Sequence, residues 1–394
     1  MTKTVVTAAL PYANAQIHVG HLVEYIQADV YVRFLRLLGE DALYICASDM
    51  HGTPIEVKAQ EQGIKPKEYA QKFHKLNKET FKKYLINFDN YYHTDSKENQ
   101  ELAEFFFNTL KKKGFIYQQE IDIIHCPKCN RNLPDRYVKG TCPNCGTFDQ
   151  YGDVCESCNL TLKGTDLINP KCSICQSPPT QKKSEHYFFQ LSKFSTQLKA
   201  WLKKTPLQPE IKNSINDWIK KGLEDWCISR DGPYFGFKIP GETNKYFYVW
   251  LDAPIGYISS TKNLTPKWKD YWNDQVIHVI GKDIIYFHFL FWPAMLIAAG
   301  FNPPSNLIVH GFLTVNGQKM SKSRGTFFTA EDFLKLYQPE HLRFYLTQHL
   351  SRKLSDLDLD FQDFQATINN KLVANIANFT YRTLHFAYKN YQNF

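Results

Sequence analysis

The chain has 394 residues, enough for two or three domains with sizeable cores. Hydrophobic residues make up 43% and charged residues 22%, an ordinary balance for a soluble globular protein, and the mild net charge of +8 suits a polyanionic partner without identifying one. We expect neither a secretory signal nor a membrane span. The apolar start ends at Pro11, and the longest apolar run, residues 289–299, contains a proline and is too short for a bilayer.

The amino-terminal stretch predicts a phosphate-binding turn. Residues 4–10 form an apolar, β-branched run typical of a buried parallel strand, and a helix opens just beyond it. The first turn of a helix has unpaired N–H groups, and there His18 and His21 share one side and can each donate a hydrogen bond to a phosphate oxygen. Gly20 leaves room for a flat base. No Walker A or dinucleotide fingerprint is present, and two ordinary histidines would explain the pattern equally well.

A second strand follows the first helix. The helix runs to Leu38 and stops at Gly39, and residues 42–47 are again apolar. Strand, helix and strand predict a right-handed βαβ unit of a doubly wound α/β fold, with ligands at the carboxyl ends of its parallel strands. Asp49 falls at such an end, although aspartates that cap a helix or a turn are common there.

Eight of the ten cysteines form four C-x-x-C pairs. Two such turns can complete a tetrahedral four-thiolate site, so the pairs predict two structural zinc ions and a reducing compartment. Three pairings of the turns are possible. We favour the nested one, because its short inner loop closes at least entropic cost. The inner set is Cys142, Cys145, Cys155 and Cys158, and the outer set is Cys126, Cys129, Cys172 and Cys175. Redox pairs are a weak alternative.

Three later stretches carry further signals. Residues 246–257 are unusually aromatic, which by itself is typical of a core. Residues 275–280 predict a strand, and Asp283 follows it on a glycine turn, where an acid suits ribose hydroxyls. Lys319 and Lys322 lie three apart on a glycine-flanked loop. They can close on a polyphosphate, although a basic surface loop has the same composition.

In combination, these motifs resemble a known family. His-Val-Gly-His after the first strand and Lys-Met-Ser-Lys-Ser after a late one resemble the class I aminoacyl-tRNA synthetases. Pro-Tyr-Ala-Asn at residues 11–14 and the aromatic stretch at 247–257 narrow the resemblance to the methionyl-tRNA synthetases, over essentially the whole chain. The resemblance implies a Rossmann-like catalytic domain with a zinc-knuckle insert. It also implies ATP-dependent activation of methionine and transfer of the methionyl group to the 3′ end of initiator and elongator tRNA(Met).

The resemblance also implies residue roles at the nucleotide. The proposed catalytic residues are the two histidines and the two loop lysines: His18, His21, Lys319 and Lys322. The histidines would stabilise the transferring phosphate, and the lysines, which also bind ATP, would stabilise the departing pyrophosphate. Gly20 would receive the base, and Asp283 would bind the ribose of ATP.

The methionine site is likewise implied by resemblance. Asp49 would hold the α-ammonium and pair with Arg230. The residues expected at this site are Leu10, Tyr12, Asp49, Trp250, Ala253, Pro254, Tyr257, Ile284, His288 and Trp292. An aromatic lining suits a polarizable thioether, and Tyr257 and His288 could place polar hydrogens near the sulfur.

The expected organisation has five parts. These are residues 1–115 and 226–325 as the halves of the catalytic domain, 116–225 as the connective insert, 326–362 as a stem-contact segment, and 363–394 as the start of a helical anticodon-binding bundle. Expected ligands and partners are ATP with Mg²⁺, methionine, two structural zinc ions and tRNA(Met). We expect a cytoplasmic monomer with no membrane contact. Rival interpretations are a class I synthetase for another apolar amino acid or cysteine, and a non-catalytic zinc protein that binds RNA.

Overall fold

The structure is a computed structural model. It describes residues 2–152, 155–158, 160, 162, 164–320, 328–351 and 353–391, without the side chains of Arg136 and Lys319. Its strands are β1 (Lys3–Ala8), β2 (Asp41–Ser48), β3 (Asn90–His93), β4 (Ile116–Cys126), β5 (Arg131–Asn132), β6 (Val138–Thr141), β7 (Gln150–Tyr151), β8 (Ile168–Cys172), β9 (Thr180–Phe189), β10 (Trp226–Cys227), β11 (Ser229–Asp231), β12 (Lys245–Phe247), β13 (Gln275–Gly281), β14 (Asn306–His310), β15 (Leu313–Val315), β16 (Gln318–Lys319) and β17 (Leu357–Leu359).

Helices connect and follow these strands. The α-helices are α1 (Leu22–Leu37), α2 (Thr53–Glu61), α3 (Pro66–Lys83), α4 (Lys97–Lys112), α5 (Ser195–Lys204), α6 (Pro209–Lys221), α7 (Val249–Leu264), α8 (Trp268–Trp272), α9 (Trp292–Ala299), α10 (Ala330–Leu334), α11 (Pro339–His349), α12 (Phe361–Thr367) and α13 (Asn378–Asn390). Wider π-helical turns span Phe287–Phe291 and Ile368–Ala377. No described helix is both long and apolar enough to cross a membrane.

The chain forms two compact units. The first comprises Met1–Phe106, Leu191–Glu224 and Asp252–Phe394, and the second comprises Phe107–Gln190 and Asp225–Leu251. The five-part organisation expected from the sequence remains a prediction.

A five-stranded parallel sheet organises the first unit. The strand order is β14-β13-β1-β2-β3, and every neighbouring pair is parallel. The chain therefore builds outward from β1 to β3 and then returns to add β13 and β14 on the other side of β1. This is a doubly wound α/β topology, with its switch point between β1 and β13.

Helix α1 packs on this sheet and leads into the site. Its stop at Gly39, predicted from the sequence, is observed: Gly39 has φ of 81°, a conformation that only glycine adopts at little cost. Leu22, Tyr25 and Ile26 are fully buried in one core with the sheet strands and with residues of α11 and α12. The sheet and α1 therefore form a rigid base for the residues at the carboxyl ends of the strands.

Antiparallel pairs dominate the second unit. Strands β4 and β9 form a long hairpin-like ribbon that carries β5 and β10 at its edges. Beyond this ribbon, β6, β7 and β8 form a small sheet around which the cysteine turns are grouped, and β11 pairs with β12. One buried cluster of the second unit contains four of the cysteines together with residues of the ribbon and of the small sheet, so these thiols are part of its core.

Candidate functional site

A cavity of about 380 Å³ opens at the carboxyl edge of the parallel sheet, at the switch point. Residues that follow β1, β13 and β14 line it together with the first turn of α1. The lining residues are Ala9, Leu10, Pro11, Tyr12, His18, Gly20, His21, Glu24, Tyr25, Gly281, Asp283, Ile284, His310, Phe312, Leu313 and Met320. The histidine pair, Gly20 and Asp283, which the sequence placed in separate motifs, thus share one crevice.

The two histidines are held as a stacked pair. Their ring centroids lie 3.6 Å apart at an interplanar angle of 28°. The Nδ1 atom of His18 accepts the Gly20 backbone N–H at 3.1 Å, and Nδ1 of His21 accepts the His18 N–H at 3.2 Å. A neutral imidazole that accepts at Nδ1 carries its proton at Nε2. Burial, with His18 and His310 nearby, lowers the pKa of His21 to about 3, so His21 is a neutral donor.

The loop that carries the two lysines begins and ends beside these histidines. At its start, β16 pairs with β15, and a Cβ placed on Gly20 would come within 2.5 Å of Met320 Cε. At its end, Val19 N–H donates to Phe328 O at 3.3 Å and Ala330 N–H donates to Ile17 O at 3.0 Å. Lys322 and the side chain of Lys319 lie outside the described residues. Both ends of the loop are nonetheless tied to the helix start that carries His18 and His21.

Sequence reasoning missed two titratable residues of the cavity. Glu24 lies three residues after His21 in the first turn of α1, and His310 is the last residue of β14. Their Oε2 and Nε2 atoms are 3.5 Å apart, and burial raises the pKa of Glu24. The three-residue spacing of Glu24 from His21 was an available signal. The position of His310 could be found only after the order of the strands was known.

Asp49 lies at the end of β2, beside the turn that follows β1. Its backbone N–H donates to Pro11 O at 3.0 Å, and its carbonyl accepts from Ala13 N at 2.8 Å. Its Oδ1 atom is inaccessible to solvent and has no hydrogen-bond partner among the described residues. Burial, and then the charge of Asp252, raises the pKa of Asp49 well above its usual range. A buried carboxylate with an unused oxygen is suited to receive a cation.

Aromatic residues near the end of β13 form a hydrogen-bonded group. Tyr257 OH lies 2.9 Å from His288 Nε2, and His288 Nδ1 lies 3.2 Å from the carbonyl of Ile284. Because the carbonyl can only accept, His288 carries its proton at Nδ1 and accepts the Tyr257 O–H at Nε2. Burial lowers the pKa of His288 to about 4, which keeps the ring neutral. Tyr257 therefore donates to a neutral histidine.

Trp292 is fixed by a second set of contacts that the sequence did not reveal. Its indole N–H donates to His278 Nε2 at 3.1 Å, and His278 Nδ1 lies 2.6 Å from Thr7 Oγ1. Trp292 and His278 are almost completely buried. His288 itself lies on the π-helical turn before Trp292, a widened turn that is frequent at functional sites.

The remaining residues expected at the methionine site are distributed as follows. Leu10, Tyr12 and Ile284 line the cavity. Ala253 and Pro254 lie on α7 with Tyr257, one turn before it, and Gly256 on the same helix allows close contact with Leu10. Trp250 and Arg230 belong to the second unit, where the Arg230 guanidinium stacks 3.5 Å from the Tyr248 ring centroid. The pairing of Arg230 with Asp49 remains a prediction.

Eight cysteines of the second unit form two groups of four. Cys126, Cys129, Cys172 and Cys175 lie together, as do Cys142, Cys145, Cys155 and Cys158, and within each group all the sulfur atoms are within 4.8 Å of one another. These are the outer and inner sets of the nested pairing. The contacts measured between turns are 3.4 and 3.9 Å in the outer group and 3.6 and 3.8 Å in the inner one. A tetrahedral zinc site with Zn–S bonds of 2.3 Å requires about 3.8 Å, so both groups fit.

The backbone of the cysteine turns explains this convergence. Cys129 N–H donates to Cys126 Sγ at 3.4 Å, and Cys158 N–H donates to Cys155 Sγ at 3.5 Å. The residue after the second cysteine of three turns has positive φ, namely Asn130, Gly146 and Gln176. Glycine and asparagine tolerate this conformation best, and it folds the chain back so that both sulfurs point the same way.

Comparison with known proteins gives consistent results. The family model for class I tRNA synthetases (M) matches residues 4–384. A methionine–tRNA ligase of Myxococcus xanthus is 49% identical over 393 residues, which are 97% of this chain, and the chain spans 56% of the length of that relative.

Solved structures agree on the fold. A methionyl-tRNA synthetase of Mycobacterium tuberculosis, in complex with methionyl-adenylate, superimposes with a TM-score of 0.81 at 25% identity, covering all of this chain and 73% of that one. A second methionyl-adenylate complex from the same organism, at 24% identity and a TM-score of 0.79, covers 98% of this chain and 72% of that one and supports the fold alone. With a family model that matches nearly its full length, the chain belongs to the class I tRNA synthetases (M).

Proposed function

We propose that this chain activates methionine with ATP to form methionyl-adenylate and then transfers the methionyl group to the 3′ end of tRNA(Met), initiator and elongator. The observation that carries the proposal is the crevice at the switch point, which the histidine pair, Asp283 and Met320 at the start of the lysine loop line together, while the end of that loop is hydrogen-bonded to the same helix start. Family membership and 49% identity to a methionine–tRNA ligase support it.

The first step is an in-line attack of the methionine carboxylate on the α-phosphate of ATP. Such a reaction needs positioned reactants and stabilisation of developing charge rather than a covalent nucleophile. The Nε2–H groups of His18 and His21 would donate to the transferring phosphate, and neutral donors suit this role because they remain donors over the physiological pH range. Lys319 and Lys322 would neutralise the departing pyrophosphate, and Mg²⁺ would accompany ATP. Gly20 would admit the base and Asp283 would bind the ribose.

The amino acid would lie between Asp49 and the aromatic group. The unused Oδ1 atom of Asp49 would accept the α-ammonium, and the thioether would contact the rings of Tyr257 and Trp292. Because Tyr257 donates to His288 and His288 donates to the carbonyl of Ile284, the polar hydrogens expected near the sulfur are already engaged. Discrimination against other apolar amino acids would therefore depend mainly on shape and aromatic contact.

The cysteine groups would hold one structural zinc ion each. Four thiolates leave no open position on the metal, so neither ion would take part in the reaction. Their contribution would be to the stability of the second unit, because four of the thiols belong to one of its buried clusters. A cytoplasmic location is part of the proposal, because reduced thiols and the tRNA substrate are both available there.

Amino-acid-dependent exchange of pyrophosphate into ATP tests the proposal. Exchange is expected with methionine and not with leucine, isoleucine, valine or cysteine, and charging of tRNA(Met) is measured in parallel. Exchange with another amino acid would favour a synthetase of different specificity. Binding of tRNA with no exchange for any of them would favour a non-catalytic RNA-binding zinc protein.

A further inference from the structure

A buried charged pair lies next to Asp49 and takes no part in the mechanism above. His51 Nδ1 and Asp252 Oδ2 are 2.5 Å apart, and both residues are only 1% exposed. Burying two charges costs free energy unless their geometry is good, and apolar residues would be as stable in the same space. The pair therefore invites a functional explanation.

Two further charged residues, Asp95 and Lys67, extend this pair toward the surface. His51 Nε2 lies 3.7 Å from Asp95 Oδ1, and Asp95 Oδ2 lies 3.0 Å from Lys67 Nζ on α3. Burial alone would lower the pKa of His51, but the two carboxylates outweigh it and raise that pKa, so the ring is an imidazolium at neutral pH. Two cations and two anions then balance.

Asp49 adjoins this balanced group as an additional anion. The backbone N–H of His51 donates to the Asp49 carboxylate, and the charge of Asp252 acts on Asp49 directly. Burial raises the pKa of both Asp49 and Asp252, and a cation bound at Asp49 would favour its charged form. With His51 protonated and all three carboxyls ionised, the five groups carry one net negative charge, which we place at Asp49. One ligand cation would neutralise it. With His51 removed, two buried carboxylates would face each other, and one would take up a proton.

Asp252 also connects this group to the helix that carries pocket residues. It lies in the first turn of α7, where the helix dipole favours a negative charge, and Asn99 Nδ2 donates to its carbonyl at 3.2 Å. Ala253 and Pro254 follow it directly. The His51–Asp252 contact thus links the β2 end, where Asp49 lies, to α7, across 201 residues of sequence.

We infer that His51 and Asp252 are positioning residues for the amino-acid end of the site: together they keep Asp49 as the one unbalanced carboxylate and fix it relative to α7, so that it accepts an α-ammonium. This inference rests on the proposed function, because the ligand is the ammonium of the amino acid.

The test is a double-mutant cycle that measures binding of methioninol, which retains the ammonium of methionine, by titration calorimetry. His51→Gln and Asp252→Asn should each weaken binding at least about tenfold, because each leaves one buried charge unbalanced. The double variant removes both charges and should bind within about threefold of wild type. The KM for ATP should stay within about twofold in all three.

If His51 and Asp252 only supported the fold, the double variant would bind methioninol no better than the single variants. A double variant that binds as weakly as the worse single variant, or single variants that bind normally, would overturn the inference. If a single variant does not fold, the double variant decides: a folded double variant that binds methioninol supports the inference, and one that does not fold or does not bind overturns it.

Controls separate this inference from the proposed function. The exposed pair Lys58 and Glu61 on α2 offers a matched cycle, Lys58→Gln and Glu61→Gln, for which methioninol binding should not change. Wild-type protein that binds no methioninol would contradict the proposed function itself. Wild-type protein that binds it, with unaffected single variants, would overturn only the roles of His51 and Asp252.

Discussion

His18 and His21 stack with their ring centroids 3.6 Å apart, and each accepts a backbone N–H at Nδ1. The backbone of the helix start therefore fixes which nitrogen of each ring carries the proton. Both Nε2–H groups are preorganised as donors, and no side-chain partner is needed to select the tautomer.

The first prediction concerns the Nε2–H donor of His21. A glutamine amide can take the place of Nε2, whereas an asparagine amide takes the place of Nδ1. His21→Asn should lower the rate of methionine-dependent pyrophosphate exchange by about 10²–10³-fold, the usual effect of losing one such donor. His21→Gln should retain at least about ten times the activity of His21→Asn. Equal rates for the two variants would contradict the assigned tautomer, and His385→Gln on α13 is the matched exposed control.

The second prediction concerns the lysine loop. Lys322→Ala should lower the adenylation rate by about 10²–10³-fold while the affinity for methionine changes little, because the lysine acts on the pyrophosphate as charge develops. Single-turnover adenylate formation separates the two effects. Lys335→Ala, an exposed lysine beyond the loop, is the control. A near-normal rate for Lys322→Ala would reject the role.

The third prediction concerns the tyrosine–histidine contact. Tyr257→Phe leaves the buried Nε2 atom of His288 without its hydrogen-bond donor, which costs about 1–3 kcal/mol. The KM for methionine should therefore rise about fivefold or more, and the KM for ATP should not change. Steady-state exchange assays measure both constants, with Tyr388→Phe on the exposed face of α13 as the control. Parallel changes in both constants would indicate general damage to the site instead.

The fourth prediction compares the two cysteine groups. Native mass spectrometry should find two zinc ions per chain, and one after either Cys126→Ser or Cys142→Ser. The outer group joins residues 49 apart in the chain, and the inner group joins residues 16 apart. Because closing the longer loop removes more entropy from the unfolded chain, the outer site should contribute about 1 kcal/mol more to the free energy of unfolding. Cys126→Ser should accordingly destabilise the protein more. Cys227→Ser, outside both groups, should retain two ions, and fewer than two in wild type would contradict the assignment.

The parts of this site that the sequence revealed share a physical cause. A strand, a turn and a helix start are local features, and the spacing of the C-x-x-C pairs and the position of Gly39 reflect local backbone geometry. The sequence order of His18, Gly20 and His21 was therefore sufficient to predict a phosphate site at the edge of a parallel sheet. The observed cavity brings these residues together because parallel strands run in one fixed direction, and their phosphate-binding role remains a prediction.

The parts that the sequence could not reveal depend on distant contacts. Glu24 and His310 meet across 286 residues, and His51 and Asp252 across 201. In neither pair does the sequence around one residue indicate which distant residue it contacts. Periodicity also has limits: Leu22 and Leu37 both belong to the apolar pattern of α1, yet Leu22 is buried and Leu37 is 84% exposed. Such outcomes depend on which surface packs against the helix.

The last prediction is the pH dependence of stability. Burial lowers the pKa of His21 to about 3 and those of His288 and His74 to about 4, from an ordinary 6.5. Below pH 6.5 the unfolded chain then binds more protons than the folded one, so the free energy of unfolding should fall as the pH falls from 6.5 toward 4. The pKa of His51 is shifted in the opposite direction. Its raised pKa stabilises the folded chain fully below pH 6.5, and that contribution is lost as the pH rises through the alkaline range.

The free energy of unfolding should therefore be greatest near pH 6.5 and fall on an acid flank and an alkaline flank. Substitution of the responsible histidines tests each flank separately. Thermal unfolding measured from pH 5.5 to pH 9.5 should show the alkaline flank flattened in His51→Gln and the acid flank reduced in His74→Gln. The slope with pH, rather than the absolute midpoint, is the readout, because either variant also changes stability through packing. An alkaline slope that is unchanged in His51→Gln would show that this ring is not the buried imidazolium beside Asp252.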